Sequence, residues 1–165
     1  MDTILNHTGQ IIDIHTEHVE LNESFLDFAG RFIHLPGSVL LASGGSLDCA
    51  RYHILAIKPW LAFSGRNNTF KITVDDQTVN VQKHPFEILR YLLDIYTINN
   101  QIPIHSDMEI PVQAGLFGYF SYDLKDCLEE LPRTSVDDLL LPHICLFAPS
   151  IIIVHDRIAA NTTLN

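Results

Sequence analysis

Residues 114–124 read AGLFGYFSYDL, an apolar and aromatic run interrupted by two glycines. This composition predicts a buried strand, with Leu116, Gly118 and Phe120 on one face and the alternate residues on the other, and both faces covered. A glycine inside a strand indicates that another backbone approaches closely. Asp123 is of a residue type that caps helices, so we expect a short helix directly after the strand.

Outward from this stretch, helical periodicity is predicted at two more places. Ser24 is placed to cap a helix that ends before Pro36-Gly37, and Pro85 is placed to open one that continues to about Ile98. The apolar face of the first helix is expected to hold Phe25, Phe28, Ala29, Phe32 and Ile33; that of the second, Phe86, Leu89, Leu92, Leu93 and Tyr96.

Short runs of strand character, separated by turn residues, lie between and after these helices. They are 38–43, 51–57, 61–64, 70–74, 143–147 and 151–155, with a further strand beginning near Thr162. We therefore predict an α+β fold, with mixed, largely antiparallel sheet layers packed with a few helices, and one domain over residues 1–165.

Composition limits the class of function. Of 165 residues, 47% are hydrophobic and 18% charged, which is typical of a folded domain. A net charge of −10 disfavours binding to nucleic acid or to anionic membranes. With no leader pattern and no long apolar run, we expect a cytoplasmic protein. Three cysteines without C-x-x-C spacing predict reduced core thiols.

Local motifs predict no catalytic residue, metal site or cofactor site in this chain. Nine histidines are present without metal-binding spacing, and the sequence has no serine-hydrolase elbow, P-loop or dinucleotide fingerprint.

Two further segments give the chain a more specific character. Residues 38–45 read SVLLASGG and lie some seventy residues before the glycine-tyrosine stretch, and residues 51–56 read RYHILA. Leu131-Pro132 and Leu141-Pro142 follow the glycine-tyrosine stretch. In order and spacing these segments resemble the N-terminal domain of component I of anthranilate synthase and of aminodeoxychorismate (para-aminobenzoate) synthase. Ala42 stands where anthranilate synthases usually have Glu, and Gly44 follows the serine, which looks more like the para-aminobenzoate branch.

The resemblance implies that this chain is a noncatalytic fragment of a longer enzyme. That parent would aminate chorismate to 4-amino-4-deoxychorismate in folate biosynthesis. Its separate C-terminal chorismate-binding domain would carry the catalytic groups and the magnesium, and a glutamine amidotransferase subunit would supply ammonia. The implied partners of this chain are therefore its own C-terminal domain and that subunit.

The resemblance also implies a tryptophan site beside the Leu-Leu-x-Ser segment. The residues placed to form it are Leu41, Ser43, Asp48, Cys49, Ala50 and Tyr52. The alternative is that Ser43 merely ends a strand and Asp48 caps a turn. Two other functions stay open: the same domain of anthranilate synthase component I, with a feedback site, and a free-standing ligand-binding or interaction module without an enzymatic parent.

Overall fold

The computed structural model describes residues 14–47, 49–95, 111–130 and 136–165, which contain eight strands and two α-helices. The strands are β1 Glu17–His18, β2 Val39–Leu41, β3 Tyr52–Arg66, β4 Thr69–Val74, β5 Gln77–Val81, β6 Phe117–Phe120, β7 Ile144–Asp156 and β8 Asn161–Leu164. The helices are α1 Phe25–Gly30 and α2 Pro85–Ile95, and a 3₁₀ helix covers Tyr122–Cys127.

The strands hydrogen-bond in the order β1-β8-β7-β3-β4-β5, with β2 on β3 and β6 on β7. Antiparallel pairing joins β1 to β8, β8 to β7, β2 to β3, β3 to β4 and β4 to β5. The predicted α+β class with a largely antiparallel sheet is thus confirmed. In the described part of the chain, no helix is long and apolar enough to cross a membrane.

Contacts divide the described residues into two units. One contains 14–59, 111–117 and 148–165, and the other contains 60–95, 118–130 and 136–147. The prediction of one domain over 1–165 stays a prediction.

In the unit that contains α1, hydrophobic side chains form two clusters. Strand alternation separates them, because successive side chains point to opposite faces. Phe25 and Ala29 from α1 pack with Leu55, Ile57 and Ile153. The second cluster holds Ala56, Phe117, Ile152 and Val154, with Val39, Tyr52, Ile54 and Val112 packed against it.

Helix α1 begins where its cap predicts and ends earlier than expected. The Ser24 hydroxyl accepts a hydrogen bond from the Asp27 N–H at 3.2 Å, which satisfies one N–H at the start of the helix. The helix ends at Gly30 and turns follow, so Ile33 is not on a helical face and is 55% exposed. Phe28 and Phe32 still pack against the core.

In the other unit, β3, β4 and β5 form a meander through two tight turns. Asn67-Asn68 and Asp75-Asp76 all have positive φ, as a two-residue hairpin turn that matches strand twist requires. Strand β5 is not among the predicted strands, because Asp-Asp is a weaker signal for this turn than Asn-Gly. The large buried side chains of this unit are Leu61, Phe63, Phe70, Ile72, Ile88, Leu92 and Ile144.

Two strands are longer than predicted. Runs 51–57 and 61–64 join into β3, and runs 143–147 and 151–155 join into β7. In the sequence, Pro59 separates the first two runs, because a proline cannot donate a hydrogen bond to a neighbouring strand. Pro59 follows Lys58, whose φ of 53° gives the strand a local irregularity, and Pro149 lies within β7.

Helix α2 is confirmed, but its buried face is rotated from the predicted one. Ile88 and Leu92 are buried, whereas Leu93 is 50% exposed and Phe86 and Leu89 are half-buried. Tyr96 and Ile98 lie outside the described residues.

The 114–124 stretch forms β6 and then the 3₁₀ helix. The expectation that both strand faces are covered is wrong: Phe117 is buried, while Tyr119 and Phe120 are exposed. The 3₁₀ helix starts after Ser121, so Asp123 lies in its first turn instead of capping it. Leu124 is buried and Leu128 is exposed; Leu131 and Pro132 lie outside the described residues.

The close backbone approach predicted at a glycine is confirmed at Gly118. A Cβ atom there would lie 1.9 Å from the Cys145 carbonyl oxygen, and its φ is +147°. The cysteines are free, but Cys49 is exposed, so the prediction of three core thiols is wrong for that residue.

Candidate functional site

The predicted ligand residues cluster around the connection between β2 and β3. Leu41 ends β2 opposite Ile54, and Tyr52 begins β3. Leu41 is 46% exposed and Tyr52 is half-buried. The hairpin therefore brings Leu41, Ser43 and Tyr52 to one end of the paired strands.

Ser43 is fixed by two hydrogen bonds to β3. Its hydroxyl donates to the Tyr52 carbonyl oxygen at 2.6 Å, and its backbone N–H donates to His53 Nδ1 at 3.1 Å. Because a hydroxyl has one hydrogen and two lone pairs, Ser43 Oγ keeps acceptor capacity for a further donor.

The rest of the connection is a tight loop. The Ala50 N–H donates to the Leu47 carbonyl at 2.9 Å, which closes a turn shortly before β3 begins. Ala50 is half-buried. Cys49 is exposed, and the predicted Asp48 lies outside the described residues. A Cβ atom on Gly44 or Gly45 would have no neighbour within 4 Å, so the turn beside Ser43 borders open space.

Arg157, which is not among the predicted site residues, holds this loop. Its Nη1 donates to the Ala50 carbonyl at 2.5 Å and its Nη2 donates to the Gly45 carbonyl at 3.4 Å. Its backbone N–H also donates to the Arg51 carbonyl at 2.9 Å. Arg157 directly follows β7, so no local pattern connects it with the loop.

A second arginine is held by an ion pair at the same end of β7. Arg51 Nε and Nη2 donate to Asp156 Oδ2 at 2.9 and 2.7 Å, and the guanidinium lies 4.8 Å from the Tyr52 ring centre. Asp156 Oδ1 accepts from the Ile158 and Ala159 N–H groups. The Arg51 hydrogen bond, with these backbone bonds, lowers the pKa of Asp156 to about 2.

The His53 ring of β3 packs with two other rings, Phe25 from α1 and His155 from β7. The His53, Phe25 and His155 ring centres are 5.4–6.1 Å apart, with interplanar angles of 8–16°. His155 Nδ1 lies 2.9 Å from Thr162 Oγ1. Burial is the main cause that lowers the pKa of both histidines; Arg157 and His155 add to the effect on His53.

This chemistry fits binding better than catalysis. The ionised groups named above are committed to one another or to backbone, and the loop offers an acceptor, an apolar edge and open space. In the described part of the chain, no three His, Cys, Asp or Glu side chains gather as metal ligands. The residues described here therefore do not fit a magnesium ion.

Comparison with known proteins gives relatives that are component 1 of two synthases. No family model matches the chain. Anthranilate synthase component 1 of Cereibacter sphaeroides is 32% identical over 127 residues, which are 74% of this chain and 24% of that protein. Aminodeoxychorismate synthase component 1 of Escherichia coli is 26% identical over 133 residues, which are 79% of this chain and 28% of that protein.

A solved structure has a similar fold. Anthranilate synthase component I from Streptococcus pneumoniae superposes with a TM-score of 0.52 at 21% identity, over 85% of this chain and 28% of that one. The chain thus spans about a quarter of the length of the curated relatives it matches.

Proposed function

Since the chain is a relative of component I of the anthranilate and aminodeoxychorismate synthases, in the region of their N-terminal domain, we propose that it is the noncatalytic part of a chorismate-aminating enzyme. We propose further that it binds an amino acid of the tryptophan type through Leu41, Ser43, Asp48, Cys49, Ala50 and Tyr52. In this proposal the parent makes 4-amino-4-deoxychorismate. A C-terminal chorismate-binding domain of the parent holds magnesium, and a glutamine amidotransferase subunit delivers ammonia.

The observation that carries the ligand site is the position of Ser43. Its hydroxyl hydrogen is used by Tyr52, so towards a ligand this side chain acts as an acceptor. An α-ammonium group is a donor only, and it matches an oriented acceptor of this kind. The bond to Tyr52 fixes the hydroxyl before a ligand arrives, which lowers the entropy lost on binding.

The surroundings of Ser43 suit the other parts of an amino acid. Leu41 and Tyr52 offer apolar surface for an indole ring, and the open space beside Gly44-Gly45 leaves room for it. The positive charge of Arg157 at the loop favours a carboxylate nearby, although its nitrogens are held by loop carbonyls.

Placement in the para-aminobenzoate branch rests on Ala42 and Gly44. Without a carboxylate at position 42, the site has one acidic side chain fewer for an ammonium group than an anthranilate synthase with Glu there. The anthranilate branch is the second candidate, and the relative from Cereibacter sphaeroides favours it. The coding sequence downstream of Asn165 separates both from a free-standing module: a chorismate-binding domain there supports the proposal, and an unrelated domain contradicts it.

The ligand site is tested by NMR titration of this chain with L-tryptophan up to about 10 mM. We expect millimolar binding, because the catalytic domain of the parent would complete the pocket and a half-open site buries less of the indole. The amide signals of 43–52 should shift. Ser43→Ala should weaken the response at least about fivefold, the loss of about one hydrogen bond.

Ser46→Ala is the matched control, since Ser46 is exposed in the same loop. The Ser46→Ala variant should bind tryptophan as strongly as this chain does without a substitution. The site is wrong if the shifts fall elsewhere in the chain, or if Ser43→Ala and Ser46→Ala respond alike.

A further inference from the structure

His53 connects the ligand loop with the interior of its unit. It is the second residue of β3 and is only 8% exposed. The backbone pairing of β2 with β3 runs from Val39 to Leu41, and Ser43 lies two residues further. At that point the His53 side chain takes the place of a backbone partner, because its Nδ1 lies 3.1 Å from the Ser43 nitrogen.

The direction of this hydrogen bond fixes the charge of the ring. A backbone N–H can only donate, so Nδ1 has to carry a lone pair, and the ring is neutral with its hydrogen on Nε2. In a protonated imidazole both nitrogens donate. The Ser43 N–H would then face another N–H group, and this bond would be lost.

The groups around His53 keep it neutral. Phe25 from α1 and His155 from β7 lie against its ring. Arg157, directly after β7, adds a positive charge. Directly before its strand, the charge of Arg51 is balanced by the ion pair with Asp156. Burial first, then Arg157 and His155, lower the pKa of His53 below its usual value of 6.5.

We propose that His53 is a positioning residue: in its neutral form it holds the Ser43 turn, and when its ring is protonated it releases the turn, so that amino-acid binding at residues 41–52 is lost on acidification. The ligand part of this inference rests on the proposed function. The coupling between His53 and Ser43 does not, since it needs only the hydrogen bond between these two residues.

The direction of the pH effect follows from the lowered pKa. At neutral pH the ring is uncharged and the turn is held. As the pH falls through the pKa of folded His53, the released form accumulates. One pH unit below that midpoint about one molecule in eleven keeps the binding form, so the affinity for tryptophan is about tenfold weaker.

The coupling is tested without ligand by following the Ser43 amide and the His53 ring protons by NMR from about pH 8 to about pH 5. We expect both signals to move with one midpoint below 6.5. His53→Asn places an amide oxygen near the position of Nδ1 and cannot titrate, so its Ser43 amide should stay at the neutral-form position throughout. His53→Phe keeps an aromatic ring but has no acceptor, so its Ser43 amide should lie at the acid-form position at every pH.

His155→Phe is the matched control, because it removes the neighbouring titrating ring and leaves the His53–Ser43 bond. Its Ser43 amide should still titrate. The inference is wrong if the Ser43 amide titrates in His53→Asn as it does in the parent sequence, or if it does not titrate in the parent sequence. Should His53→Phe fail to fold, the Asn variant alone decides.

Tryptophan titrations at the two ends of the pH range separate this inference from the proposed function. A Ser43 amide that titrates in a chain that does not bind tryptophan supports the coupling and contradicts the ligand site. Tryptophan binding of equal strength on both sides of the His53 midpoint contradicts the inference and leaves the ligand site standing.

Discussion

Asp156 is the residue whose charge we expect to matter most for stability. Its carboxylate is 9% exposed and accepts from Arg51 and from two backbone N–H groups. Asp156→Asn should lower the free energy of unfolding by about 2 kcal/mol at neutral pH, the range for hydrogen bonds to a charged group. The midpoint of urea unfolding measures it.

The pH dependence of this contribution follows from its sign. The pKa of Asp156 falls from 3.8 in the unfolded chain to about 2 in the folded one, so the stabilisation is complete above 3.8 and is lost as the pH drops through about 2. The difference between the parent sequence and Asp156→Asn should shrink over that range. Asp138→Asn, at an exposed position, is the control; a loss of similar size in it would contradict the prediction.

Among single residues, the sequence indicates only those candidate site residues that lie close together along the chain. Ser43 and Tyr52 are expected in the site because one short segment resembles the synthase family, and the hairpin brings them together. Arg157 and Asp156 are not identified, because they contact Ala50 and Arg51 across 107 and 105 positions of chain. His53 was visible in the sequence, but its role depends on which face of β3 it occupies and on a backbone N–H ten residues earlier.

Helix α1 depends on its cap. It has six residues, too few to be stable without packing, and Ser24 satisfies one of its unpaired N–H groups. Ser24→Ala should therefore destabilise the protein by about 1 kcal/mol. Thermal unfolding measures the loss, with Ser46→Ala as a control that should be neutral. Equal melting temperatures for Ser24→Ala and the parent sequence would contradict the capping role.

The pairing of β6 with β7 depends on Gly118. Because an added Cβ atom would meet the Cys145 carbonyl at 1.9 Å, and because φ is +147°, Gly118→Ala should cost at least about 2 kcal/mol. Gly30→Ala is the control, since a Cβ atom there meets nothing within 4 Å and alanine favours helix. Urea unfolding compares the two; a Gly118→Ala variant as stable as the parent sequence would refute the close approach.

Whether an element was predicted well depended on how local its signal is. The caps and apolar spacing of α1 and α2 are local, and both helices start where predicted. Strands β3 and β7 continue through Pro59 and Pro149, although a proline has no N–H to donate to a neighbouring strand. Whether a strand continues past a proline depends on the strands that pair with it, and the local sequence does not contain that information. The exposure of Tyr119 and Phe120 likewise depends on what lies against β6, and strand alternation alone does not contain that information.

For the whole molecule, we predict that the chain alone does not convert chorismate. No cluster of metal-binding carboxylates occurs among the residues that the structure describes, and magnesium belongs to another domain in the proposed parent. Incubation with chorismate, ammonium and magnesium should leave the chorismate absorbance unchanged. Aminodeoxychorismate synthase component 1 from Escherichia coli serves as the positive control; amination by this chain above the buffer blank would overturn the noncatalytic assignment.

The pairing of β1 with β8 has a consequence for the order of folding. The Thr16 and Asn165 side chains, which share a hydrogen bond of 2.8 Å, are 149 positions apart, whereas β4 and β5 meet across a two-residue turn. Closing the longer loop costs about 3 kcal/mol more in chain entropy. With only two residues in β1 to offset that cost, this strand should dock after the meander has formed, and its amide hydrogens should be among the first to exchange with solvent.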